Sequence, residues 1–447
     1  MAGLERRLGL PAAIGLSLSV IAPTLTAAFN ISLAVKAAGA AAPTAFALGT
    51  LALLMVAAAF IGFSRRVANT GSAYAYIAEV FGQRAGFVAG WTLLLTYVAF
   101  TTAMGALAGS FVGAALGTLG FGMNWLPVVA GLTALVAAGW LAYRDVRLTG
   151  RLLLLFEAAS LLAILLLCAS ILRTAPAIPV AALTPAATPQ GWSGIGYALV
   201  FTVLSFAGFE GAATLGEETA NPYRNIPLAI LLTIVGAGVF FVFVAYCEVR
   251  GFGLERIAEL GNSAAPLNDL ALRYGSKRFA VLLDIAAAVS SFSGALGALT
   301  AAARLLFALG RAGLGEPLGH VHKRHGTPHT AVALCGGCAI GFFLIFGPMI
   351  GPADYYAYTS TTGTLALILV YVAVAVAASI WSLRTQTDLW AIASVPGAGV
   401  LIWCLVNTIY PSPPFPNNLW PYAVIVWMVL ALPTIRLRPK LASPITG

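Results

Sequence analysis

Charge is what this 447-residue chain has least of: Asp, Glu, Lys and Arg together make up 9% of it, against 60% hydrophobic residues. Soluble domains carry roughly one-quarter charged residues, so a water-soluble globule is excluded. Cysteine is scarce as well. The five present, Cys168, Cys247, Cys335, Cys338 and Cys404, fall mostly inside apolar runs, which excludes a secreted-type disulfide framework. The Cys335-x-x-Cys338 pair has no second pair nearby, and its setting Leu334-Cys-Gly-Gly-Cys-Ala339 reads as small-residue helix packing. All four histidines, His320, His322, His325 and His329, crowd one loop with Glu316 as their acidic neighbour, so they read as solvated and basic, and no metal or cofactor is expected. Long polar stretches are missing too. The longest non-apolar segments are the Pro-rich 173–191 and 250–278, the latter predicted to hold a short helix over Pro266–Tyr274. An enzyme needs a nucleophile–base constellation, a channel a continuous polar lining, and a membrane sensor a soluble output domain; none of the three is legible here.

What the chain does have is apolar runs long enough for a ~30 Å hydrocarbon core. Twelve spans are predicted, near 12–37, 43–64, 85–112, 125–143, 150–172, 192–216, 226–249, 279–309, 328–348, 355–383, 389–409 and 419–436. Placing both termini in the cytoplasm puts seventeen of the 24 Lys and Arg on inner segments and seven on outer ones, as the positive-inside rule requires. The net charge of +9 then follows from topology and attraction to anionic inner-leaflet lipid, and nucleic acid need not be invoked. The Glu5-Arg6-Arg7 start runs into a span too long for a signal h-region, so no cleavable leader is expected.

Two of these spans are interrupted. Span 1 holds Ala22-Pro23-Thr24, where proline removes a backbone donor and clashes with the preceding turn. Span 6 holds Ala207-Gly208, followed by the carboxylate Glu210 at membrane depth. Pro23 alone could kink a helix and Gly208 alone could allow close packing. Together, with Thr24, Thr26 and Asn30 beside one break and Glu210 beside the other, they read as a site. If spans 1–5 and 6–10 are two halves, the breaks hold the same ordinal position in each. That is the pattern of an inverted-repeat transporter with its site near the midplane. Five spans per half is odd, so the halves insert in opposite orientations.

At these residues the chain resembles the amino acid–polyamine–organocation permease superfamily. The specific matches are Ser205-Phe-Ala-Gly-Phe-Glu210 with Gly216-Glu-Glu-Thr-Ala-Asn-Pro-Tyr-Arg-Asn-Ile-Pro227, Gly71-Ser-Ala-Tyr-Ala-Tyr-Ile77, Gly86-Phe-Val-Ala-Gly-Trp91, and Ala301-Ala-Ala-Arg-Leu-Leu-Phe-Ala-Leu-Gly-Arg311 leading to Gly326-Thr-Pro328. The likeness runs over about residues 10–385, with spans 11 and 12 generic. It implies an all-α integral membrane fold of twelve transmembrane helices, a LeuT-like five-plus-five inverted repeat with discontinuous helices 1 and 6. Residues 1–385 would form the transporter core and 386–447 the accessory helices and a cytoplasmic tail.

The resemblance also implies roles. Amides of Thr24, Leu25 and Thr26, just after Ala22-Pro23, would meet a substrate carboxylate. Carbonyls around Leu204, Ser205, Ala207 and Gly208 would accept hydrogen bonds from the ammonium. Phe206 and Phe209 would be lids; Tyr97, Ser290, Ser291 and Ser293 would be walls. Glu217 and Glu218 would pair with Arg224 in an inner gate. The chain departs from the family at two points: span 1 lacks the Gly-Ser-Gly type of break, and Ser160 stands where some proton-coupled relatives carry a lysine in span 5. Coupling is therefore left among protonation of Glu210 or of Glu157, one turn from Ser160, a sodium ion on Ser290 and Ser293 oxygens, and exchange without an ion. For Glu157 a packing position near the inner end of span 5 is the plainer reading. A polyamine would need more acid than Glu210, Glu157 and Asp284 offer, so the expected substrate is a neutral, mildly apolar amino acid, carried across the cytoplasmic membrane by secondary active transport with proton symport.

Overall fold

The computed structural model describes residues 21–64, 72–144, 150–210, 221–321, 326–385 and 389–438, with Leu10, Ile14 and Leu18. Among the described residues every regular element is a helix. A continuous helical stretch over residues 23–38, α1, is followed by α2 (Ala42–Ser64), α3 (Ser72–Phe81), α4 (Gln83–Leu119), α5 (Leu126–Arg144), α6 (Gly150–Thr174) and α7 (Gly191–Phe206). Then come α8 (Pro222–Phe252), α9 (Ile257–Asn262), α10 (Pro266–Tyr274), α11 (Lys277–Leu309), α12 (His329–Ile350), α13 (Pro352–Thr385), α14 (Ser394–Asn407), α15 (Trp420–Val429) and α16 (Ala431–Leu437).

By length and composition, nine helical stretches among the described residues suffice to cross a membrane, against twelve predicted spans. The difference has two sources. Pro23–Ser64 runs through the first two predicted spans as one stretch. The helices Gly191–Phe206 and Ala391–Asn407, at predicted spans 6 and 11, are shorter than a full crossing. The first of these is short because the chain leaves the helix at Ala207. The helix expected in the 250–278 connection is present as α10.

Burial sorts the helices into centre and periphery. The most apolar window of α4 is 72% buried and that of the α1–α2 stretch 67%, whereas those of α5 and of the α15–α16 stretch are 17% buried. The peripheral helices turn large apolar side chains outward, Leu155 at 67% and Met349 at 79% exposure among them. Such a surface suits hydrocarbon rather than water. Helices immersed in hydrocarbon gain little from burying apolar groups, and close backbone approach through small residues takes over. Gly105, Gly109 and Gly113 of α4 form such a seam: a Cβ on each would meet Leu135, Pro127 with Gly131, and Pro127 of α5. The tightest is Gly109, whose added Cβ would lie 2.1 Å from the Pro127 carbonyl oxygen. Gly109→Ala is therefore expected to push α5 off α4 and lower stability by about 1–3 kcal/mol, measurable as a depressed melting temperature in detergent; an unchanged melt would refute the seam. Further along α4, the Trp91 and Trp427 rings stack at 4.8 Å and each indole N–H donates to the other's carbonyl oxygen, at 3.0 and 2.7 Å, fastening α15 to α4.

Candidate functional site

The break in the first helix sits at Ala22, whose backbone is left-handed (φ 48°, ψ 65°) although it carries a side chain. The following Pro23 disfavours the right-handed helical region for the residue before it, and the left-handed alternative is one that only the surrounding packing can impose. Such a conformation costs about 1–3 kcal/mol and persists only where packing holds it, and Ala22 is 1% exposed. Three residues on, the helix loosens again into a π turn over Thr26–Asn30, closed by Ile31 N–H donating to the Thr26 carbonyl. The wide turn carries Asn30 to the seventh helix. Its Nδ2 donates to Thr26 Oγ1 (3.3 Å) and Ser205 Oγ (3.2 Å), and its Oδ1 accepts from Tyr356 O–H (2.6 Å). One buried amide thus ties α1, α7 and α13 together beside both breaks.

The second break follows Phe206. Ala207 is extended (φ −56°, ψ 125°), its N–H donates to the Leu204 carbonyl, and Gly208 has φ 100°, a region glycine enters without steric cost. Past it, Glu210 is 4% exposed and its Oε2 accepts from Tyr371 O–H at 2.7 Å. Phe60, Phe209 and Tyr371 close an aromatic cage beside this carboxylate, with ring centroids 5.2–5.5 Å apart. Tyr97 of α4 lies within electrostatic reach of it.

Glu157 reaches further than a packing position. From α6 its Oε1 accepts the Thr24 backbone N–H at 2.8 Å, so the amide expected to meet substrate is held by a side chain of the protein itself. Thr24 Oγ1 and Ser290 Oγ are buried beside the same carboxylate, and neither makes a hydrogen bond of good geometry. Glu157, Ser160, Ser290 and Ser293 line one cleft with Phe156, Ala286 and Val289. Ser160 Oγ donates to its own helix, at Phe156 O.

Other expected residues point elsewhere. Ser291 is buried but donates to Ala287 O. Phe206 is fully buried, with its ring edge-on to Phe241 of α8 at 5.2 Å, a scaffold contact; Phe209 is equally buried, in the Glu210 cage. Leu25 and Leu204 are buried at the breaks. Asp284 is engaged by Asn268 Nδ2, which also donates to Thr118 Oγ1, linking α10, α11 and α4. Glu248 of α8 is a further membrane acid, not expected from the sequence, and is 1% exposed with neither oxygen hydrogen-bonded. Tyr356 and Tyr371 are likewise not marked by the sequence, where they are two of several tyrosines in an apolar run with nothing to indicate their partners. Glu217, Glu218, His322 and His325 lie outside the described residues.

Residues 8–430 match the model of the amino acid permease family. The chain belongs to that family. The permease is accordingly a multi-pass membrane transporter of the amino acid–polyamine–organocation superfamily, whose members are transporters rather than enzymes. It is 28% identical to the low-affinity putrescine importer PlaP of Escherichia coli (strain K12) over 306 residues, 67% of this chain and 66% of the importer. It is 23% identical to the branched-chain amino acid permease BcaP of Bacillus subtilis (strain 168) over 430 residues, 88% of this chain and 85% of that permease. Over 298 residues it is 28% identical to the Asc-type amino acid transporter 1 of Mus musculus, covering 62% of this chain and 53% of the transporter.

Proposed function

We propose that the permease is a secondary active transporter of neutral amino acids, working by alternating access across the cytoplasmic membrane with both termini in the cytoplasm. The observation that carries this reading is the pair of helix breaks, at Ala22-Pro23 and Ala207-Gly208, bridged by Asn30 and Ser205. On this reading residues 1–385 hold ten spans in two inverted halves, residues 386–447 add two accessory helices, and substrate sits between the breaks. Main-chain amides after Pro23 bind the substrate carboxylate, main-chain carbonyls near Leu204, Ser205 and Ala207 take the ammonium, and Tyr97 with the residues of α11 bounds the side chain. The coupling ion is the proton.

A putrescine-like diamine is the second reading, favoured by the importer among the relatives. Two cationic ends would call for two acceptor carboxylates, and of the acids at the breaks Glu210 is already engaged by Tyr371 and Glu157 by Thr24. Proteoliposome uptake with a panel of labelled amino acids and amines, imposing proton and sodium gradients separately, separates the readings. Neutral amino acids should accumulate on an inward proton gradient, and the decarboxylated amine of the best substrate should compete at least tenfold more weakly. Equal competition by that amine would remove the carboxylate from the recognition scheme.

A further inference from the structure

We propose that Glu157 occupies the substrate's own carboxylate site and must take up a proton before an amino acid can bind, so that one amide enforces the coupling of one proton to one substrate. This rests on the amino acid reading above and adds to it the residue that carries the proton and the reason it must.

The Thr24 N–H lies in the first turn of a helix that runs on through residue 38, and Pro23 before it has no N–H to offer. Here that donor is already satisfied by a carboxylate, Glu157 Oε1 at 2.8 Å. An incoming substrate carboxylate would find this donor taken and a fixed negative charge at close range, where like charges repel strongly in a low-dielectric setting. Protonation removes that charge. It also turns Glu157 into a donor, and acceptors are close by: Thr24 and Ser290 are 0% and 3% exposed, and their hydroxyls lie beside this carboxyl without a hydrogen bond of good geometry. A hydroxyl can donate to an ionised carboxylate or accept from a neutral carboxyl, so these two can serve Glu157 in either charge state once it has left Thr24.

The cycle balances in protons. The carboxylate of Glu157 takes one proton, leaves the Thr24 amide and turns to Ser290 and Thr24 Oγ1. The substrate carboxylate then takes the amide. On the other side of the membrane substrate departs, Glu157 gives up the proton and returns to Thr24.

No other described ionisable group shares this corner. The elements packed against α6 are residues 23–25, α8, α10 and α11. The first carries no ionisable side chain. On α8, Tyr246, Cys247, Glu248 and Arg250 lie toward the far end of α6, where Arg250 donates to the Leu172 and Ala175 carbonyls, and Tyr223 and Arg224 of its first turn are exposed. On α10, Asp269 accepts from Ser263, Arg273 pairs with Glu259, and Tyr274 is at the same far end, its carbonyl accepting from Ser170. On α11, Lys277, Arg278 and Asp284 are again at that end, beside α10, and Arg304 is exposed near the other.

The test uses the full-length permease purified in detergent and reconstituted in proteoliposomes, with the best-transported labelled amino acid of the panel as probe and its decarboxylated amine as control. Because binding consumes a proton on Glu157, wild-type affinity should fall as pH rises, approaching tenfold per unit once Glu157 is ionised in the free protein. Glu157→Ala should bind the amino acid at least as tightly as wild type at every pH, with a flat pH profile. It should keep exchange and lose uphill uptake on a proton gradient. Glu157→Gln, nearly isosteric, should give the same flat profile if the alanine variant fails to fold. The proposal is overturned by a wild-type affinity that is flat from pH 5 to 8, by retention of the wild-type slope in either variant, by a Glu157→Ala affinity below wild type at low pH, or by an affinity that follows sodium instead of pH. Failure of every amino acid to be taken up would instead bring down the functional reading itself, a result visible in the panel before any variant is made.

Discussion

Gly208→Val is expected to insert, fold and remain monodisperse, yet bind no amino acid. The backbone at Gly208 has φ 100°, outside the regions open to a residue with a side chain, and valine is stiffer still at χ1. The variant must pull this turn back toward negative φ, which closes the gap between Ala207 and Glu210 where the seventh helix has let go of its hydrogen bonds. The cost falls on the geometry of the break more than on the bundle, because the packing of α7 against α1, α2 and α14 lies before Phe206. Labelled amino acid retained by the purified variant should drop to background, while its elution profile matches wild type. Wild-type transport by a monodisperse Gly208→Val protein would place the substrate site elsewhere.

Glu210→Ala should lower uptake about ten- to a hundredfold, whereas Glu210→Gln should leave proton-driven accumulation largely intact. The carboxylate is the acceptor for the buried Tyr371 hydroxyl, and it stands next to Phe209, whose ring is wedged between Phe60 and Tyr371. Alanine leaves the tyrosine O–H without a partner at a cost of about 1–3 kcal/mol and frees the turn after Gly208 to drift. Glutamine keeps the size and an acceptor oxygen, so the break stays anchored. Side-by-side exchange and uphill uptake decide the matter. A glutamine variant that exchanges substrate but cannot concentrate it would make Glu210 the proton carrier and take that role from Glu157.

Much of this site was legible from the chain, for reasons that are local. Pro23 inside an apolar run removes an N–H whatever surrounds it and disfavours the right-handed helical region for Ala22, which is outside it; that Ala22 is left-handed and not extended is not a local consequence of proline. Gly208 is a local licence for positive φ. Apolar run length announces membrane-crossing helices because the hydrocarbon thickness sets their number of residues.

What the sequence by itself determined, then, is that the chain is a helical membrane protein interrupted at two known points, since hydropathy and backbone sterics act between neighbours. Which groups meet at those points was decided only by the tertiary structure. Glu157 and Thr24 are 133 residues apart, Asn30 and Tyr356 are 326 apart, and Glu210 and Tyr371 are 161 apart. Nothing in the local pattern around Glu157 separates a lipid-side or packing glutamate from one that holds a helix break, because in hydrocarbon the apolar periodicity that would show its facing is nearly uniform around the helix. Only the crossing of α6 over the first turn of α1 brings its carboxylate to that amide, and with it the chemistry on which coupling is argued to depend.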